Sequence, residues 1–170
     1  MHSFEEILLG IFVILGSVCI HSMGMFLVMH RFELHWPRYL SERKEWRRQL
    51  YFLFLVILIL ATHLCEILAI AGTVRAIDAI KDFRTAFYFA GETYTTLGYG
   101  DVLLPTGWRQ LALFIAMSGL LSFGWTTGVL VSIVGKTYDA QFSHLRQQPR
   151  DPAHATQQPG DASGRPPQAE

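Results

Sequence analysis

Three stretches of this chain are apolar for long enough to cross a bilayer: about residues 4–29, 50–71 and 108–134. A crossing takes roughly 20 apolar residues, because about 30 Å of hydrocarbon is covered at about 1.5 Å per residue. A fourth stretch, 83–95, is apolar and aromatic but too short to cross, and segments of that length are more often buried or re-entrant. Hydrophobic residues make up 51% of the chain and charged residues 16%, with a mean hydropathy of +0.26. Once the three runs are set aside, too little of the 170 residues remains for a soluble catalytic domain. The pattern predicts an all-α membrane protein: three transmembrane helices plus a short re-entrant helix and a loop.

The chain divides into an N-terminal helix (1–30), a basic connector (31–49), a central module (50–136) and a tail (137–170). The first run opens on acidic Glu5 and Glu6 and lacks a small-residue cleavage pattern, so it reads as a retained helix rather than a leader. Arg31, Arg38, Arg43, Lys44, Arg47 and Arg48 outnumber the connector's acids, with Trp36 and Tyr39 as interface anchors. The positive-inside rule places this connector in the cytoplasm, the N-terminus outside and the C-terminus cytoplasmic. From about Gln147 the chain is Pro, Gln, Gly, Ala and charge, a composition that cannot bury a core. No internal repeat is present, so one chain carries one short re-entrant segment.

Net charge is formally zero, which implies no nucleic-acid partner. Cys19 and Cys65 lie inside apolar runs, as lipid-facing or packed thiols. There is no Ser/His/Asp set, phosphate loop or spaced ligand cluster, and the seven histidines are scattered. The expectation is a non-enzyme without a cofactor.

Irregular backbone cannot sit in lipid, because each unsatisfied peptide group costs several kcal/mol. It is tolerated at membrane depth only when buried in protein or lining a water path, so the loop after Thr95 predicts a pore. A cation stripped of water needs closely spaced oxygens of low net charge, which successive backbone carbonyls supply when they share one axis. An ordinary strand alternates its carbonyls left and right. Aligning them requires unusual φ values, which Gly98 and Gly100 reach at little cost.

The sequence Thr95-Thr96-Leu97-Gly98-Tyr99-Gly100-Asp101 resembles the potassium-channel signature. Glu92 to Thr96 and Ala116 to Gly124 are similar to the pore and inner helices of small bacterial two-helix potassium channels. The resemblance covers about Leu50 to Lys136, while the first helix, connector and tail lie outside it. It implies a homotetramer in the cell membrane that conducts K+ passively, the ion held by Thr96, Leu97, Gly98, Tyr99 and Gly100. Leu97 stands where valine is usual, with its side chain expected to face away from the axis. Tyr99 is expected to brace the filter against Tyr88 and Phe89, and Glu92 to pair with Asp101. Two close buried carboxyls tend to share one proton. Gly119 occupies the family's hinge position, where close packing against the pore helix is the equal alternative. Leu120, Phe123, Thr127 and Val131 are expected along the cavity, with Val131 and Val134 as a constriction. Gly124 and Gly128 form a small-xxx-small pattern, and Trp125 is expected against a neighbouring helix or lipid.

Two other readings remain open at the level of sequence: a non-selective cation channel, and a non-conducting membrane anchor or sensor. No helix carries arginine at every third position, so a charge-moving voltage sensor is not expected. His63 and Glu66, one turn apart in the second span, and His21 in the first, are intramembrane ionisable groups. They suit either a proton-sensitive contact with the first span or a neutral pair that orients helices.

Overall fold

The computed structural model describes residues 2–40 and 45–146. Helix α1 spans His2–Leu40, α2 Glu45–Ala76, α3 Phe83–Tyr94 and α4 Leu111–Arg146, with a 3-10 turn at Thr106–Trp108 before α4. Prolines are absent from α2, α3 and α4, so nothing removes a backbone donor from their ladders. Three helices are long and apolar enough to cross a membrane: Phe4–Trp36, Trp46–Ala76 and Thr106–Asp139.

Three boundaries differ from expectation. The first helix does not stop at Met29 but runs through much of the basic connector to Leu40, and α2 already begins at Glu45. Charge marks where a span leaves the hydrocarbon, not where its hydrogen-bond ladder ends. Likewise α4 runs to Arg146, ten residues into the stretch read as tail. The connector residues 41–44 and the tail from 147 lie outside the described residues.

Helix α1 is the centre of the bundle. It packs along both α2 and α4, whose own backbones rarely come close and which meet chiefly through side chains such as Ser122 and Glu66. Glycines allow the approach. A Cβ at Gly10 would lie 2.3 Å from the Phe114 ring of α4, and one at Gly24 2.3 Å from the Thr62 side chain of α2. One core joins Val13 of α1 to Ile70, Val74, Ala86, Phe89, Tyr94, Leu111 and Ile115. A second, at the other end, joins Met25, Val28 and Phe32 to Tyr51, Leu55, Ile59 and Ile133.

Polar contacts pin both ends. The buried Glu6 carboxylate accepts the backbone N–H groups of Gln110 and Leu111. These are orphan donors at the start of α4, where the helix dipole favours an anion. At the opposite end Lys136 Nζ of α4 lies 3.8 Å from Glu33 of α1 and over the Phe32 ring. Glu6→Ala removes the cap without touching the helices' apolar faces. Its expected cost is about 1–2 kcal/mol, read as a lowered unfolding midpoint in detergent micelles.

Candidate functional site

The short helix α3 begins at an N-cap. Asp82 Oδ2 accepts from Thr85 N at 2.8 Å and from the Thr85 hydroxyl at 2.7 Å, as its position before the apolar run implies. The hydroxyl and then the N–H of Thr85 hold the Asp82 carboxyl below the usual carboxylate range. A lowered folded-state pKa means the cap's stabilisation is present above the ordinary carboxylate pKa. It is lost as pH falls through the lowered value.

At its other end α3 turns directly into the loop 95–101. Thr96 N donates to Thr93 O at 3.0 Å, Leu97 N to Glu92 O at 2.8 Å and Gly98 N to Glu92 O at 3.3 Å. The Tyr99 N–H faces the Glu92 carboxylate. The donors from Thr95 to Tyr99 are thus turned back onto α3. Among the described residues no backbone N–H donates to the carbonyls of Thr96 to Gly100.

The loop carries positive φ at every second residue: Thr96 at 60°, Gly98 at 57° and Gly100 at 76°. Alternating hands of backbone keep the chain extended while turning successive peptide planes the same way. That is the condition for carbonyls to share an axis. The glycines fit this by composition, but Thr96 does not. A left-handed conformation costs an L-residue about 1–2 kcal/mol, and Thr96 is β-branched, so nothing in its residue type signals the conformation. Its N–H bond to Thr93 O holds it there.

Behind the loop the bracing is polar. Tyr88 donates its hydroxyl to Asp101 Oδ2 at 3.1 Å, and the Asp101 charge acts on Glu92. Glu92 is buried, and its Oε2 has no hydrogen-bond partner. Phe89 is buried in the core that also holds Val13 of α1, and it borders the cavity behind the loop together with Glu92, Gly98 and Gly100. Within its own chain Tyr99 is 70% exposed and Leu97 56%.

On α4, Gly119 is a contact rather than a free joint. A Cβ there would stand 1.9 Å from the Tyr94 carbonyl oxygen, so α4 crosses the end of α3 at backbone distance. Leu120, Thr127 and Val131 lie together on the exposed face. Phe123 sits on its flank, its ring 4.6 Å from His63 and 5.6 Å from Tyr94. Trp125, on the other flank, lies 5.5 Å from His21. Gly124 and Gly128 have nothing within 4 Å of a built Cβ, so no helix of this chain uses that small-residue pattern. Cys19 and Cys65 are free and exposed. His21, His63 and Glu66 are brought together with Tyr94 in the interior. The one-turn spacing of His63 and Glu66 suggested a contact with the first span, but the share of Tyr94 from α3 could not be read from spacing, because it comes from another helix.

Gly119→Ala places a methyl against a backbone carbonyl and is expected to cost about 3 kcal/mol, the upper end of overpacking. Gly128→Ala meets open space and leaves the stability of the isolated chain unchanged. Denaturant titration of the two variants in micelles checks the contrast.

No solved structure matches this chain. Residues 52–136 match the model of a family described as "Ion channel", which takes in most of α2, α3, the loop and most of α4, half of the 170 residues. A multi-pass membrane chain built of three spanning helices, with a short helix and a loop between the second and third, belongs by this match to the ion channel family.

Proposed function

We propose that four copies of this chain enclose a single potassium-selective pore, with the carbonyls of Thr96 to Gly100 as the ion's ligands. The observation that carries the reading is the loop's backbone: alternate positive φ at Thr96, Gly98 and Gly100, with its N–H groups turned back on α3. A chain that commits its donors behind and leaves its carbonyls free in front presents oxygens and nothing else. Ligands of that kind replace a cation's hydration shell without holding it by net charge.

One chain supplies one strip of oxygens along one side of an ion, and closing the ring takes further copies. The exposed residues favour the same conclusion. Leu97, Tyr99, Leu103, Leu113, Met117, Leu120 and Val131 are more than half exposed in the single chain. Neighbouring subunits would cover part of this surface and leave Leu120, Thr127 and Val131 along the cavity. Gly124 and Gly128 then offer a close-approach surface between subunits. The C-terminal end of α3, carrying about half an elementary charge of negative sign, would lie next to the ion path. Arg31, Arg47, Arg48 and Lys136 gather at the end away from the loop, which suits a cytoplasmic location for that end.

Purified protein in liposomes is expected to pass K+ and to show a reversal potential that follows the K+ gradient in mixed K+ and Na+. A near-zero shift on exchanging the two ions would replace selectivity with general cation conduction. Absence of flux, together with absence of a tetramer on crosslinking, would favour an anchor or sensor. Gly98→Ala imposes a Cβ at φ 57°. It is expected to abolish flux while insertion and assembly persist.

A further inference from the structure

Near the midpoints of the three spans, four helices meet at one polar cluster inside the bundle. His21 of α1, His63 and Glu66 of α2, Tyr94 of α3, and Ser122 and Thr126 of α4 are all buried. Ionisable groups at membrane depth are costly, which makes each a functional question by default. His63 and Glu66 stand one turn apart on one face of α2. His21 meets them from α1, its ring centroid 5.3 Å from that of His63. Ligand atoms of the three residues lie within 4.8 Å of one another. Metal sites in helix bundles are built this way, from a carboxylate and a histidine three residues apart on one helix and further donors on the helices that face it.

The two imidazoles are turned alike. Each presents its Nδ1 to the oxygens of Glu66 and Tyr94. His21 Nδ1 lies 2.8 Å from Glu66 Oε1, and His63 Nδ1 lies 2.8 Å from the Tyr94 hydroxyl. That hydroxyl donates in turn to Glu66 Oε2 at 2.9 Å. On their other side both rings turn Nε2 towards Thr126 Oγ1, at 3.0 Å for His63 and 3.4 Å for His21. A metal-binding histidine is held in just this manner, with one ring nitrogen donating its N–H to an outer oxygen and the other offering its lone pair. The carboxylate is held as well: Ser122 donates to Glu66 Oε2 at 2.8 Å, which leaves Oε1 facing His21. A single imidazole would be enough to orient a carboxylate between two helices. Two imidazoles that aim the same nitrogen at one carboxylate and one phenol oxygen bring four nitrogen and oxygen donors together, the number and kind that zinc takes.

We propose that His21, His63 and Glu66 bind a zinc ion, with the Tyr94 oxygen as the fourth donor. The ion staples α1, which lies outside the residues that match the ion channel family, to α2 and α3 within them. Ligands stand about 2.0–2.2 Å from zinc and about 3.3 Å from one another. To reach that spacing the widest pair closes by about 1–1.5 Å and the His21–Glu66 pair opens by about half an ångström, movements of side chains and not of helices. Glu66 supplies one negative charge. Tyr94 is the last residue of α3, and that end of the helix adds about half of another. Thr126 and Ser122 of α4 stand behind the ligands, so all four helices contribute to the site. Because the donors come from different helices, they meet only in the folded bundle, and the ion's binding is part of the chain's folding.

The site belongs to the single chain and stands whether or not the assembled protein passes K+. The test is metal content. The full chain is produced in medium supplemented with zinc, extracted into micelles and stripped of loose metal on a chelating resin. Elemental analysis is expected to find about one zinc per chain. His21→Gln and Glu66→Gln each remove a ligand and are expected to lower that content at least about tenfold. His35→Gln, near the other end of α1 from Glu6, should leave it unchanged. Ser122→Ala keeps every ligand and removes only the hydroxyl behind Glu66. It is expected to weaken retention against a competing chelator by about 10–100-fold, a graded loss that misfolding of a ligand variant would not produce. Growth with cobalt in place of zinc should give the strong visible absorption of a four-coordinate cobalt ion, absent from Glu66→Gln. Unaltered protein with less than about half a zinc per chain overturns the proposal. So does zinc that stays with Glu66→Gln or leaves with His35→Gln, because the ion is then held elsewhere.

Discussion

Hydrocarbon offers no hydrogen-bond partner to a peptide group, and a loop placed at membrane depth must answer for every N–H and C=O it carries. The segment 95–101 answers for only half of them within its own chain. Its N–H groups are directed to the carbonyls of Thr93 and Glu92 and to the Glu92 carboxylate. Among the described residues no backbone N–H donates to its carbonyls from Thr96 to Gly100. Much of the rest of the fold follows from that imbalance. Helix α3 must be short and capped at Asp82 so that its far end stops where the loop begins. Helix α4 must come within backbone distance of that end, which only a glycine at 119 permits.

The first helix lies outside the residues that match the ion channel family, yet it is integral to the bundle. It packs on both α2 and α4, approaching α4 through Gly10 and α2 through Gly24, and its Glu6 caps α4. A helix that merely shielded an existing module would present one apolar stripe. Here it also delivers His21 to a carboxylate and a threonine on two other helices. The polar interior therefore fixes the rotation of α1 about its own axis, which apolar packing alone, being non-directional, specifies weakly.

Much of this was readable from residue order. Apolar runs set the number and approximate placement of the spans, and Asp82 announced the start of α3. Gly98 and Gly100 announced positive φ. What residue order missed was contact between helices. The positive φ of Thr96 comes from its bond to Thr93 and not from its side chain. Phe89 and Tyr88 looked equivalent as neighbouring aromatics, but helical geometry sends one to the core and the other to Asp101. The stacking of Phe123 on His63 was likewise not legible, because the two rings come from different helices.

The sequence by itself determined that this is a membrane protein with three crossings and, between the second and third, a loop whose glycines take positive φ. Hydrophobic length and glycine conformational freedom are local properties, legible one segment at a time. The tertiary structure alone decided which surfaces meet. It placed α1 between α2 and α4, turned Gly119 into a packing contact, and joined His21, Glu66, Tyr94, His63 and Thr126 into one hydrogen-bonded circuit. Those outcomes depend on the relative rotation and depth of four helices. No periodicity within a single helix encodes them, because each partner is chosen by the shape and polarity of a surface contributed by another.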